Sequence, residues 1–101
     1  MAETKVKDEI DLDEELIMPS RYKVVLVNDN TTPVDFVIAL LMHVFKHTEG
    51  RAREITLEVH NNGAGVAGIF PYEIAEQKGV EVTLLARNNG FPLNVKLEAA
   101  Q

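Results

Sequence analysis

The chain has 101 residues and a formal net charge of −6, a length that suits one domain with a single core. It contains no cysteine, which excludes disulfides and thiolate metal sites, and no apolar run approaches the roughly 20 residues that span a bilayer. With no secretory-type apolar segment and no basic surplus, we expect a cytoplasmic protein that binds neither membranes nor nucleic acids.

Most of the negative charge lies at the N-terminus, in MAETKVKDEIDLDEE. Seven acidic residues and two lysines give residues 1–15 a net charge of −5, and the rest of the chain carries −1. The segment has no sustained periodicity, and MPS at residues 18–20 is typical of a linker. We predict a disordered acidic extension over residues 1–20 and a folded domain over residues 21–101. A tail that docks on a partner is compatible with this, since disordered segments can order on binding.

The first strand and helix are predicted on either side of a polar loop. YKVVLV at residues 22–27 is β-branched and apolar, which favours a buried strand. Thr32 is the predicted N-cap of the helix that follows, Pro33 its first residue and Asp35 its capping-box acid. The apolar face of this helix is predicted to contain Val37, Leu40, Leu41, Val44 and Phe45, widened by Ile38 and Met42.

A second helix and a second strand follow. Thr48 is the predicted N-cap of the second helix, and Asn62 or Gly63 is predicted to end that helix. AGVAGIF at residues 64–70 is small, apolar and β-branched, which predicts a strand. Its glycines indicate close approach to a neighbouring element.

The third helix and strand complete the domain. Pro71 is predicted to open the helix, and Gly90 with Pro92 to end it. Gly79 in its interior costs about 1 kcal/mol relative to alanine, so we expect packing to support this helix. LNVKLEA at residues 93–99 alternates like a strand. The order β-α-α-β-α-β predicts an α+β fold in which three helices cover one face of a three-stranded antiparallel sheet.

Signals for catalysis or metal binding are weak. The only serine is Ser20, which excludes a G-x-S-x-G nucleophile, and NNGAGVAG lacks the lysine of a phosphate loop. His43 and His47 have metal-ligand spacing, but His47 is predicted in the last helical turn, where it interacts well with the helix dipole. We interpret both as surface histidines. Asp29 and Asp35 are not needed as a catalytic pair because Asp35 has a capping role. We therefore predict a binding module without metal or cofactor.

Two sets of residues that include polar side chains have no role in the predicted core or helix caps. Asn28–Asn30 follows the first strand, and Thr56, Val59 and His60 lie one turn apart on the second helix. By residue type alone, the first is a polar turn and the second a half-buried helix face.

Four segments together carry a family resemblance: YKVVLVNDNTTPVDFVIALL, LEVHNNGAGVAGIF, EIAEQK and GFPL. In this order and spacing, over about residues 20–98, they strongly resemble the ClpS family. These adaptors of bacteria and plastids deliver N-degron proteins to the Clp unfoldase-protease. An N-degron is a free α-amino group followed by a bulky apolar first side chain. The resemblance implies the fold shared with the ribosomal stalk protein's C-terminal domain, no catalysis, and cytoplasm or plastid stroma as the location.

The resemblance also implies roles for individual residues. Asn28, Asp29 and His60 match the family's acceptors for the α-amino group, and Asn30 lies at the pocket rim. The positions that match the family's cavity for the first side chain are Thr32, Val34, Val37, Thr56, Val59, His60 and Leu93.

Three positions depart from the family pattern. The family usually has an acid at Asn30 and methionine at Val34, and often methionine at Thr56. The residue matching Val34 screens out β-branched first side chains by steric clash. Our hypothesis is that α-amino capture is kept while the preference among first residues is altered from the usual Phe, Leu, Trp and Tyr.

The implied partner is the N-domain of a ClpA-type AAA+ unfoldase, with this chain expected to act as a monomer. Glu73 and Lys78, in EIAEQK, match the family stretch that contacts the unfoldase. Two alternatives stay open: a scaffold of stalk-like fold that binds no N-degron, and a small enzyme that uses His60 and Asp29.

Overall fold

The order of the secondary-structure elements is the predicted one. Our computed structural model describes residues 21–100, so the predicted disorder of residues 1–20 falls outside the described residues. The strands are β1 (Arg21–Val27), β2 (Ala64–Pro71) and β3 (Asn94–Ala99), and the helices are α1 (Val34–Val44), α2 (Glu49–Asn62) and α3 (Tyr72–Asn88). Among residues 21–100, no helix has both the length and the apolar run needed to cross a bilayer.

The three strands form an antiparallel sheet in the order β2-β1-β3. At one end of the sheet Val27 pairs with both Ala64 and Asn94, and at the other end Arg21 pairs with Pro71. The loop after β1, the end of α2 and the turn before β3 therefore meet at the same end. The start of α3 lies at the opposite end.

The core forms between β1 and the helices. Val24 and Leu26 of β1 are fully buried, as is Leu41 of α1. All five residues of the predicted α1 face are buried, and so is Ile38. The prediction for Met42 is wrong: its side chain is 39% exposed because it lies beyond the edge of the apolar stripe.

The ends of α2 are the predicted ones. The Thr48 hydroxyl accepts a hydrogen bond from the Arg51 N–H at 3.2 Å. Gly63 ends the helix in the left-handed region, with φ +87°, and its N–H donates to the carbonyl of Val59 at 3.0 Å. A side chain at position 63 would be strained in this conformation.

The predicted caps of α1 are wrong. The N-cap position belongs to Pro33, and no side chain caps the helix, so neither Thr32 nor Asp35 has its predicted role. The Thr32 hydroxyl donates instead to the carboxylate of Asp29 at 2.7 Å. An acceptor earlier in the loop therefore outcompetes the helix end for Thr32.

His47 also differs from its prediction. Helix α1 ends at Val44, and Lys46 then adopts a left-handed conformation, so His47 lies beyond the last helical turn. Its Nε2 lies 2.6 Å from the carbonyl oxygen of Ala67 on β2. Because a carbonyl oxygen only accepts, Nε2 carries the proton in this contact. His43, by contrast, is exposed.

Close approach to a neighbouring element explains Gly65, as predicted, whereas Gly68 is crowded chiefly by Phe70 of its own strand. A Cβ on Gly65 would lie 2.8 Å from Cγ2 of Val59, and one on Gly68 would lie 2.7 Å from the ring of Phe70. Gly79 is buried in α3 against β3, which supplies the packing expected for this helix.

We expect Gly65→Ala to lower the free energy of unfolding by about 1–3 kcal/mol, because the added methyl group forces α2 away from β2. Chemical denaturation followed by circular dichroism measures this. Gly50→Ala is the matched control, since a Cβ there has no atom within 4 Å. It should leave stability unchanged or raise it by up to about 1 kcal/mol. Equal stability of the two variants would contradict the close approach at Gly65.

Candidate functional site

A cavity of about 310 Å³ lies between the loop after β1 and the two helices α1 and α2. The loop lines one side and residues of both helices line the other. The lining residues are Asn28, Asp29, Asn30, Thr31, Thr32, Pro33, Val34, Val37, Thr56, Val59 and His60. The two polar groups singled out in the sequence therefore face the same space.

A backbone hydrogen bond fixes the loop against α2. The N–H of Asn28 donates to the carbonyl of Gly63 at 2.9 Å. Gly63 is the residue that ends α2, three positions after His60. Because the next residue, Ala64, pairs with Val27 in the sheet, the loop and the helix end are held together on both sides of this bond.

The carboxylate of Asp29 organises the loop. Its Oδ1 accepts three hydrogen bonds: from the N–H and hydroxyl of Thr31, at 2.8 and 2.9 Å, and from the N–H of Thr32 at 2.8 Å. Its Oδ2 accepts one, from the Thr32 hydroxyl at 2.7 Å. Burial raises the pKa of Asp29, but these hydrogen bonds together outweigh it and hold that pKa below its ordinary value. Asp29 is therefore an oriented anion.

The polar edge of the cavity keeps acceptors available to a ligand. Within residues 21–100, the side chains of Asn28 and His60 make no hydrogen bond. The Asn28 amide oxygen and one nitrogen of a neutral His60 ring can each accept. Oδ2 of Asp29, with one donor, retains a further lone pair. This edge can bind a group that only donates hydrogen bonds, such as an ammonium.

The opposite wall is apolar. Val37, Thr56 and Val59 are 5%, 6% and 4% exposed and form its inner surface. The Thr56 hydroxyl donates to the carbonyl of Ala52 at 2.7 Å, so it needs no polar partner from a ligand. Val34, 54% exposed, stands at the rim.

One predicted cavity residue lies elsewhere. Leu93 is 1% exposed, belongs to the hydrophobic core and does not line the cavity. Two lining residues were missed in the sequence, Thr31 and Pro33. An Asp followed by threonines at the second and third positions is typical of a side-chain-stabilised turn, and this signal could have found Thr31.

The two residues that match the family's unfoldase-contacting stretch, Glu73 and Lys78, do not line the cavity. Glu73 is exposed in the first turn of α3, at the opposite end of the sheet. Lys78 is half-buried: its Nζ donates to the carbonyl of Val44 at 2.8 Å and lies 5.8 Å from the centre of the Phe70 ring. Lys78 thus has a structural role at the end of α1.

Comparisons with known proteins agree with this architecture. The family model described as "ATP-dependent Clp protease adaptor protein ClpS" matches residues 18–96. The ATP-dependent Clp protease adapter protein ClpS of Bdellovibrio bacteriovorus is 51% identical over 80 residues, covering 79% of this chain and 70% of that protein. Its counterpart in Shewanella pealeana is 48% identical over 89 residues, covering 88% and 87%. The structure of Agrobacterium tumefaciens ClpS2 bound to L-phenylalaninamide is 38% identical with a TM-score of 0.79, covering 81% of this chain and 99% of that one.

The lowered pKa of Asp29 predicts a pH dependence of stability. Because the folded-state pKa lies below the unfolded one, the carboxylate stabilises the fold above an ordinary aspartate pKa of about 4 and loses this effect as pH falls through the lowered value. As pH falls below about 5, the unfolding free energy of the wild type should fall more steeply than that of Asp29→Asn. Asn30→Ala, which changes the same loop without removing a titrating group, should keep the wild-type slope. Identical slopes for wild type and Asp29→Asn would refute the prediction.

Proposed function

The chain belongs to the ClpS family of Clp protease adaptor proteins, and on that premise we propose that it binds N-degron proteins and delivers them to a ClpA-type unfoldase. The observation that carries this proposal is a single cavity with hydrogen-bond acceptors along one edge and an apolar wall opposite. A protein N-terminus of the N-degron type presents the complementary pair, an ammonium group beside a large apolar side chain.

The polar edge suits the ammonium group. An ammonium has only donors, so its site must supply acceptors, and Asn28, Asp29 and His60 are acceptors that line the same cavity. A hydrogen bond to a charged group contributes about 1.5–3 kcal/mol. The ionised Asp29 adds attraction, and its threonine donors already fix its orientation. Pre-oriented acceptors lower the entropy lost on binding.

The apolar wall suits the first side chain. At about 310 Å³, the cavity lies at the small end of ligand pockets, which start near 300 Å³, so it fits one side chain. Burying a Leu or Phe side chain contributes roughly 1.5–3 kcal/mol. The Agrobacterium relative is bound to L-phenylalaninamide, which combines a free α-amino group with a benzyl side chain. That ligand supports the same pairing of groups here.

The strength of such binding fits an adaptor. We expect micromolar affinity, which corresponds to about −8 kcal/mol. Micromolar complexes exchange readily, so the adaptor can pass its cargo on. The cavity is built from one chain, so a monomer suffices.

The first-residue preference is proposed to differ from the usual Phe, Leu, Trp and Tyr. Thr56 contributes a short side chain whose hydroxyl is already bonded to the backbone. Val34 at the rim is shorter than the methionine common in the family. Asn30, also at the rim, is exposed and uncharged. These residues leave more room inside the cavity and at its mouth, so β-branched first residues should be tolerated better.

The unfoldase is proposed to dock near Glu73 and Lys78 on α3. Glu73 is exposed at the end of the sheet opposite the cavity. Partners bound at opposite ends do not compete for space, which delivery requires. Lys78 has three donors, of which one is bonded to Val44, so it can still offer donors to a partner.

N-terminal acetylation tests the proposed function. A Phe-initiated peptide with a free amino group should bind with micromolar affinity, and acetylation should weaken binding at least tenfold because it removes the charge and adds bulk. Calorimetry gives both constants. Asn28→Ala should also weaken binding of the free peptide, whereas Asn61→Ala, on the exposed surface of α2 outside the cavity, should not. If acetylation leaves affinity unchanged, the stalk-like scaffold becomes the better description.

Narrowing the cavity tests the altered preference. In the double variant Val34→Met/Thr56→Met, Ile- and Val-initiated peptides should lose about tenfold more affinity than a Phe-initiated peptide, because the longer side chains crowd a branched Cβ. Val80→Met is the matched control, since Val80 on α3 is 54% exposed, like Val34. A wild-type protein that already rejects Ile and Val as strongly as the double variant would contradict the hypothesis.

A further inference from the structure

A second apolar space lies directly beside the cavity. This groove, of about 250 Å³, runs between α1 and α2. Its lining residues are Val34, Ile38, Arg53, Thr56, Leu57 and His60. Three of them, Val34, Thr56 and His60, also line the cavity, so the groove and the cavity share one wall.

The groove exposes large apolar side chains from both helices. Leu57 of α2 is 60% exposed, and Val34 of α1 is 54% exposed. Ile38, 8% exposed, lies deeper between the helices. Single exposed apolar residues are ordinary, but a groove flanked by two of them and continuous with a binding cavity indicates a ligand surface.

The charge at the edge of the groove is already paired. The guanidinium of Arg53 donates from Nε and Nη2 to one oxygen of Glu49, at 3.0 and 2.7 Å. This pair is exposed, so it adds little to stability. It does mean that the guanidinium of Arg53, which lines the groove, has a counter-ion within its own helix. The groove therefore suits an uncharged, apolar group.

Building on the proposed function, we infer that this groove binds an apolar side chain from the second or third residue of the same N-degron peptide. A peptide whose first residue fills the cavity must continue from its mouth, where Val34 and His60 form the wall shared with the groove. Consecutive residues of an extended peptide advance about 3.3 Å, with side chains on alternate sides. The first and third side chains therefore point the same way about 7 Å apart, so we expect the larger effect at position three.

Three peptides of equal length test the inference: Phe-Ser-Ser, Phe-Leu-Ser and Phe-Ser-Leu, each followed by the same polar tail. Leucine at position two or three should strengthen binding about tenfold over serine, the change that roughly 1.4 kcal/mol produces. Calorimetry with each peptide gives the ratio. Ratios within about twofold at both positions, with Phe-Ser-Ser still bound, would overturn the inference.

Two matched variants assign the effect to the groove. Leu57→Ser should reduce the leucine-to-serine ratio to about twofold or less, because Leu57 lines the groove and not the cavity. Leu84→Ser makes the same change on α3, where Leu84 is 57% exposed, and should keep the wild-type ratio. A ratio that is the same in both variants would show that the gain arises outside the groove and would overturn the inference.

Acetylated Phe-Ser-Ser distinguishes a failure of groove binding from a failure of N-degron binding as a whole. If the free peptide binds more tightly than the acetylated one but leucine adds nothing, only the groove is wrong. If the free and acetylated peptides bind equally weakly, the proposed function fails, and the inference that rests on it fails as well.

Discussion

The site depends on the hydrogen bond from the N–H of Asn28 to the carbonyl of Gly63. Gly63 can make this bond and still lead directly into β2 because its left-handed conformation turns the chain sharply out of α2. The sheet then holds the same junction from its other side through the pairing of Val27 with Ala64. A polar loop that begins at Asn28 and the distant His60 are thereby brought to one cavity.

The observed role of the Asp29 carboxylate is to hold the loop in one shape. Four hydrogen bonds from Thr31 and Thr32 keep its carboxylate ionised and oriented. This arrangement explains why a loop of small polar residues can have a definite shape without contributing to the core. It also leaves Oδ2, which accepts a single hydrogen bond from Thr32, with a further lone pair.

Local chemistry made much of the fold predictable, and tertiary contacts account for the errors. Thr48 and Gly63 act within a few residues of their own positions, so their capping roles could be predicted from sequence. A threonine before a proline predicts a helix cap at Thr32, but Asp29 competes for its hydroxyl. The sequence places His47 at the helix dipole, whereas its partner Ala67 is twenty positions away in the chain and is close only in the folded structure. The positions matched to the family's cavity line one space in the structure, except for Leu93, which the core buries.

The position of Lys78 makes α1 a shared element. The first turn of this helix lines the cavity. At its other end, the carbonyl of Val44 accepts a hydrogen bond from the ammonium of Lys78 on α3. A group that drew the Lys78 ammonium fully outward would leave that carbonyl to be hydrated. If binding at one end displaced α1 as a unit, it would change the energy of the contact at the other end, and such coupling would act equally in both directions.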